Sequence, residues 1–416
     1  MDASLPAIDP DTDAVGDDAE RWVLARSMCV EQIDEAAATI YLQSNGARVR
    51  IPRALYQLLL QFEQPRSLLS VAGSVERSAK LAGPVGSLRA KGFLIAEGEA
   101  EAAVPRRSIM DSPVRLFDCP AQKLAPARAD VVVLGMPYDF GDRDAAGARS
   151  APQAIREVSL QTLYAIDRRS GRPQGWFDAD RGCAILQGVS IGDAGDVFVD
   201  YGETQAAAFG RLGEVLQQLI ADGAMPMLLG GDASVSWPAI QALQARQARQ
   251  PLAVIRIGGA ARASAGSTPA FVSAACLPDR ALQLAGVAGY VQVAARAAVN
   301  GADDSALPRF RSLSVADIRR DGYAALASQL DPGQAIYLGI DLGAVATAGT
   351  PADEAGDRFD YPELHALLCA LGAAHPIVGL DLVGAVPSRP GWNVAAMTAL
   401  HLLLTALSAA KDRHES

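Results

Sequence analysis

The stretch VVLGMPYDFGDRDAAGARSAPQAIRE, residues Val132–Glu157, decides how the chain is read. It opens on β-branched and apolar residues that suit a buried strand. It then passes through a glycine-containing loop and enters a helical pattern near Pro152. The same alternation repeats on the C-terminal side. Short apolar runs stand at Val131–Leu134, Met225–Leu228, Leu252–Ile257, Val291–Ala294, Ala335–Ile340 and Ile377–Leu382, with amphipathic segments such as Glu203–Asp222 between them. Strands that alternate with helices predict a parallel sheet covered by helices. Ligands of such sheets bind beyond the carboxyl ends of the strands, so the residues that follow each run are the candidate site.

Six blocks resemble, in order, those of the ureohydrolase (arginase, agmatinase and formiminoglutamase) family. In Val132–Glu157 the residues Gly147, Arg149, Pro152, Ile155 and Arg156 match its G-x-R-x-x-P-x-x-I-R helix start. IGDAGDV (Ile191–Val197), PMLLGGDASVSWPAI (Pro226–Ile240), LAVIRIGGAARAS (Leu252–Ser264), AIYLGIDLGAVATAGTPA (Ala335–Ala352) and IVGLDLVGAVP (Ile377–Pro387) resemble the other five. The resemblance implies a three-layer αβα, arginase-like fold for residues 130–416.

By this resemblance an active member holds two manganese ions between two histidines and four aspartates. The metals lower the pKa of a bound water, which attacks a resonance-stabilised guanidinium group. In this chain Ala233 stands for the first histidine. Gly258, Ala260 and Arg262 stand for an aspartate, the second histidine and a further aspartate, and Gly343 stands for another aspartate; Asp341 alone is kept. Gly384 replaces the glutamate that grips the guanidinium, and Ala265 the loop histidine that assists proton transfer. No histidine precedes His365, so no shift of the alignment restores one. The resemblance leaves Asp232 and Asp381 in supporting roles. With Asp341 and Arg262 they make up the remaining cleft, where Asp341 is expected to pair with Arg262 or Arg256. The replacements are mostly Gly and Ala, so the cleft is expected to be emptied or slightly collapsed rather than refilled with apolar bulk.

Residues 21–100 read as a separate small α+β unit. Arg21–Val30, Ala38–Gln43 and Ala47–Ile51 are strand candidates, with Asn45-Gly46 as a tight-turn pair. Helical patterns follow from Pro52, with Leu55, Leu58, Leu59 and Phe62 on one stripe, then over Arg66–Ala79 and Gly83–Lys91; Phe93–Ala96 closes the sheet. A hairpin followed by three helices resembles the winged-helix peptide-recognition domains of ribosomal-peptide biosynthesis. Such domains take up a leader peptide as an added strand. Carried over, Ala47, Arg48, Val49, Arg50 and Ile51, with Val85, Leu88 and Arg89, line that groove. A winged helix also serves as a dimerisation or purely structural module. Residues 101–129 read as a linker.

The net charge of −10 owes most to the first 20 residues, which hold seven acids and no base; this start reads as a disordered tail. No basic run suits nucleic acid. Nothing resembles a secretory signal, and the apolar run Val394–Ala410 suits a buried or oligomer-facing helix better than a membrane span. The five cysteines are far apart with no CxxC, which implies a reduced, cytoplasmic protein. Gly230-Gly231-Asp232 and Gly258-Gly259 lack phosphate-loop spacing. His365 and His401 lie in helical patterns with no nucleophile elbow nearby. Trp176 and Phe177 suit either a partner contact or local packing. These readings imply a non-catalytic member of the family, without metal or cofactor, that binds a precursor peptide and partners a modifying enzyme. The alternatives are a metal-independent hydrolase of a guanidino or amide C–N bond, and a structural subunit that forms oligomers with itself or an active paralogue.

Overall fold

The computed structural model describes residues 20–42, 47–99, 113–124, 126–142, 145–246, 251–259, 271–293, 309–346, 358–389 and 391–412. The chain divides into two compact units. One comprises Met1–Ser112 with Ile166–Arg172, the other Pro113–Ala165 with Pro173–Ser416.

The front unit holds β1 (Arg21–Leu24), β2 (Met28–Ile33), β3 (Ala37–Leu42), β4 (Arg48–Pro52), β5 (Arg66–Ser67) and β6 (Leu94–Ala96). β2, β3 and β4 form an antiparallel sheet in that order, and β1 lies between β5 and β6. Period-two burial turns Ala38, Ile40 and Leu42 of β3 inward, where they meet Phe62, Val85, Leu88 and Phe93. The stretch read as one strand over Arg21–Val30 is two. The chain turns at Ala25, whose amide donates to the Phe93 carbonyl at 3.0 Å. The second helical pattern also divides. A short helix, Leu68–Ala72, stops at Gly73, and a longer one, Val75–Ala90, begins under the Ser74 cap. That helix runs through Pro84, which lies on its exposed side among residues that bury little. The pair Asn45-Gly46 and the acidic start over residues 1–19 lie outside the described residues. The segment Ile166–Arg172 belongs to this unit, where Tyr56 donates its hydroxyl to the Arg168 carbonyl at 2.5 Å and Arg169 pairs with Glu63 at 2.9 Å.

The larger unit adds β7 (Val131–Met136), β8 (Trp176–Asp178), β9 (Cys183–Ile185), β10 (Ile191–Asp196), β11 (Met225–Gly230), β12 (Leu252–Ile257), β13 (Val287–Val293), β14 (Phe310–Leu313), β15 (Ile336–Asp341) and β16 (Ile377–Val383). Eight of them form one parallel sheet in the order β10-β7-β11-β16-β15-β12-β13-β14. Its central strands are buried along their whole length, as expected where helices cover both faces. Helices Ala151–Ser159, Tyr361–Ala374 and Trp392–Lys411 pack on the face that carries Val131, Val133 and Ile255. Helices Gln205–Ala221, Ser236–Arg246 and Leu277–Leu282 pack on the face that carries Val132, Leu134 and Val254. This is the three-layer αβα arrangement that the resemblance implied. Each buried Leu or Val side chain contributes roughly 1.5–3 kcal/mol to holding the layers together. Trp392–Lys411 is long and apolar enough to cross a membrane, yet its residues from Ala396 to Ser408 are largely buried in this unit.

The stretch read as a linker is shorter than 101–129. The second unit begins at Pro113, and Leu116, Phe117 and Cys119 are fully buried in its core. A single 3-10 turn, Leu116–Asp118, backbone pairing with Asp193 and two side chains hold this segment. Leu116 donates its amide to Asp193 at 2.8 Å, and Phe117 donates to Ser159 at 2.7 Å.

Candidate functional site

The cleft is built at the carboxyl ends of β7, β11, β12, β15 and β16, and glycine and aspartate set its geometry. Asp341 ends β15, where its carboxylate accepts the Gly343 amide at 2.8 Å. Gly258 follows β12 with φ +107°, and Gly384 follows β16 with φ +73°. A Cβ built on Gly384 would stand 2.1 Å from Asp341 Oδ1, and one on Gly258 would stand 2.7 Å from Asp341 Cβ. A Cβ on Gly343 would stand 3.1 Å from the same carboxylate. The aspartate side chain therefore lies in the space that side chains at these glycines would use. Burial pushes its carboxyl above the usual carboxylate range, opposed by Arg256 and the Gly343 amide.

Of the two arginines the sequence offered Asp341 as partners, Arg262 lies outside the described residues, and Arg256 is directed to Asp381 instead. Arg256 lies on β12 and is buried. It donates to Ser236 Oγ at 2.9 Å and faces Asp381 Oδ1 at 3.6 Å, too long for a hydrogen bond. Ser236 and Tyr337 both donate to Asp381 Oδ2, Ser236 at 2.6 Å. Asp381 is thus the anchor of a buried polar network beneath the cleft.

Asp232 clasps two loops together. Its carboxylate accepts the amides of Gly141 at 2.6 Å, Asp142 at 3.1 Å and Ser234 at 2.8 Å, and the Ser234 hydroxyl as well. Burial nevertheless outweighs these donors and pushes its carboxyl up to about 6. A carboxyl raised on folding stabilises the folded state below the ordinary carboxylate range and loses that contribution as pH rises through about 6. The stability of the wild-type protein should therefore gain roughly 2–3 kcal/mol from Asp232 as pH falls from about 6.5 to 4. Denaturant titrations of wild type and Asp232→Asn across that window read the difference. An equal slope in both proteins would remove Asp232 as its source.

The helix-start motif is also structural. Arg156 is buried and grips Asp193 with two bonds, at 2.7 and 3.0 Å, while its third nitrogen pairs with Asp196. Arg149 pairs with Asp139 at 2.6 Å and covers the Phe140 ring at 4.6 Å. Trp176 packs against Phe117 at 5.1 Å, whereas its neighbour Phe177 is exposed.

Ala233 is buried at the turn after β11. Ala260, Arg262 and Ala265 lie outside the described residues. The residues present do not fit a two-manganese centre. Ala233, Gly258, Ala260 and Gly343 carry no donor atom in their side chains, and Arg262 carries a cation. Asp341 is the one carboxylate left, and it sits against the glycines that would have to make room.

In the front unit Val85, Leu88 and Ile51 are buried in the core and do not line an open groove. Arg48 and Arg50 are exposed and reach across β3 to Glu31 at 2.6 Å and Asp34 at 2.7 Å. Arg89 pairs with Glu20 at 3.0 Å and covers the Trp22 ring. Ala47 and Val49 are half-buried at the outer edge of the sheet, where β4 pairs only with β3 among the described residues.

A family model described as the arginase family matches residues 129–408. A mitochondrial guanidino acid hydrolase of Homo sapiens is 29% identical over 119 residues, which is 29% of this chain and 30% of that protein. The chain thus matches less than a third of that relative's length. An agmatinase of Halalkalibacterium halodurans is 25% identical over 268 residues, 63% of this chain and 85% of its own. Among solved structures, the proclavaminate amidino hydrolase from Streptomyces clavuligerus superposes with a TM-score of 0.59 at 24% identity, covering 75% of this chain and 100% of its own. At that identity the likeness is one of fold.

Proposed function

The chain belongs to the arginase family, and from that premise we propose that it is a non-catalytic member that binds a precursor peptide and presents it to a separate modifying enzyme. The observation that carries the non-catalytic half is the crowding of Gly258, Gly343 and Gly384 around Asp341. Guanidino hydrolysis in this fold requires a metal-activated water, and the side chains that would hold the metals are replaced by groups without donors. The carboxylates that persist elsewhere do mechanical work. Asp232 holds loops, Asp193 holds Arg156, and Asp381 faces Arg256.

The peptide half rests on the outer edge of β4 in the front unit, which pairs only with β3 among the described residues. An open edge offers amides and carbonyls to an added strand. Purified full-length protein, supplied with manganese and small guanidino compounds, should release no urea above a metal-free blank. Its bound manganese, measured by mass spectrometry after dialysis, should not exceed background. Turnover would overturn the non-catalytic reading. Calorimetric titration with precursor peptides encoded beside the gene tests the other half, and failure of all of them to bind would end it.

A further inference from the structure

A second cluster of ligand-type side chains shares no residue with the cleft. Asp178 ends β8, Asp180 lies in the turn between β8 and β9, and His365 lies on the helix Tyr361–Ala374. One candidate ligand atom from each lies within 4.8 Å of the others. His365 is only 9% exposed, and its Nε2 stands 3.0 Å from Asp178 Oδ2. The other Asp178 oxygen is committed, since it accepts the amides of Asp180 at 3.0 Å and Arg181 at 3.1 Å. The turn is tied to the C-terminal helix by Arg181, which donates to Ser408 at 2.9 Å. The carboxylate of Asp180 is exposed and has no hydrogen-bond or ion-pair partner among the described residues.

We propose that Asp178, Asp180 and His365 form a site for a single divalent transition-metal cation. Two carboxylates face one imidazole, so the cluster carries net negative charge even when the imidazole is protonated. Ligand bonds of about 2.0–2.2 Å set two neighbouring ligand atoms roughly 3 Å apart around a cation. Asp178 Oδ2 and His365 Nε2 already have that separation. A metal can therefore replace the proton between them while both atoms stay in place, and Asp180 closes on it from the solvent side. One imidazole with two carboxylates selects zinc, cobalt, nickel or manganese over calcium, which prefers an all-oxygen set. Cys369 lies one helical turn beyond His365, with Sγ 4.0 Å from Nδ1. This contact stands on the ring nitrogen that faces away from the carboxylates and helps fix the orientation of the imidazole. The exposure of Asp180 leaves an entry path and room for water ligands.

The test uses full-length protein without a histidine tag, stripped with chelator and titrated with zinc by calorimetry and with cobalt by visible absorption. Wild type should bind a single equivalent of each. Asp341→Asn, in the cleft, should bind as wild type does. His365→Ala should lose the ion. Asp180→Asn changes only an exposed side chain, so it should fold even if the buried substitution does not. It should weaken binding by at least the roughly 10–100-fold that follows loss of a supporting partner. If wild type shows no saturable binding, the Asp178–His365 contact is an ordinary hydrogen bond and the proposal falls. Binding that survives Asp180→Asn unchanged, or that disappears in Asp341→Asn, places the ion elsewhere and overturns it equally.

Discussion

Replacing Asp381 with alanine should cost about 3–5 kcal/mol of stability, because it leaves Arg256 as an unpaired buried cation. The two residues face each other across the middle of the sheet. Arg256 on β12 and Asp381 on β16 are both in register with Gly339 of the intervening β15. A Cβ on Gly339 would stand 2.7 Å from Arg256 Nη1 and 3.2 Å from Asp381 Oδ1, so the missing side chain is what lets the pair approach. The network is only partly satisfied. Arg256 Nη2, Asp381 Oδ1 and the Tyr290 hydroxyl are buried without hydrogen-bond partners among the described residues. Desolvation therefore opposes the pair's attraction, and removing both charges together should cost much less than removing one. Denaturant titrations of Asp381→Ala, Arg256→Met and the combined Arg256→Met, Asp381→Leu variant form the comparison. If the double variant loses the sum of the two single losses, the charges do not act as a pair.

The sheet was readable because its central strands are buried on both faces and so carry continuous apolar runs. The runs at Leu252–Ile257 and Ile377–Leu382 lie on β12 and β16. The sequence carries no comparable run for β14, and β10 stands out only as a motif. Both are edge strands, and edge strands need less apolar surface; β10 spends two of its positions on Asp193 and Asp196. The buried turn at Leu116–Cys119 was hidden by the proline and alanine around it. Its order comes from contacts with Asp193 and Ser159, more than 40 residues away.

In the cleft, residue identity alone could report that donors were lost. It could not report that Asp341 would occupy the vacated volume, because that depends on how close three strand ends approach. It also left open whether Arg256 meets Asp341 or another carboxylate, and the structure turns it to Asp381. Asp341 and Asp381 end and line adjacent strands, and only the side-chain directions decide which of them the guanidinium meets. The Asp178–His365 contact joins positions 187 residues apart, and neither position carries a local spacing motif that would have marked it.

Gly384→Glu, which restores the acid implied by the family resemblance, should destabilise the protein by about 2–6 kcal/mol and should not restore manganese binding or urea release. Two effects combine. A left-handed backbone costs a non-glycine residue roughly 1–3 kcal/mol, and Gly384 has φ +73°. Overpacking adds roughly 1–3 kcal/mol, since the first side-chain carbon would meet Asp341 Oδ1 at 2.1 Å. The backbone cannot easily move aside, because the Gly384 amide donates to the Gly231 carbonyl at 2.9 Å. Combining Gly384→Ala with Asp341→Gly separates the two effects. The double variant should recover the packing part of the loss and retain the backbone part. If Gly384→Ala is equally destabilising with and without the Asp341 side chain, that carboxylate is not what fills the site. If Gly384→Glu folds as stably as wild type and gains manganese, the cleft is open and able to hold metal, and the non-catalytic reading fails with it.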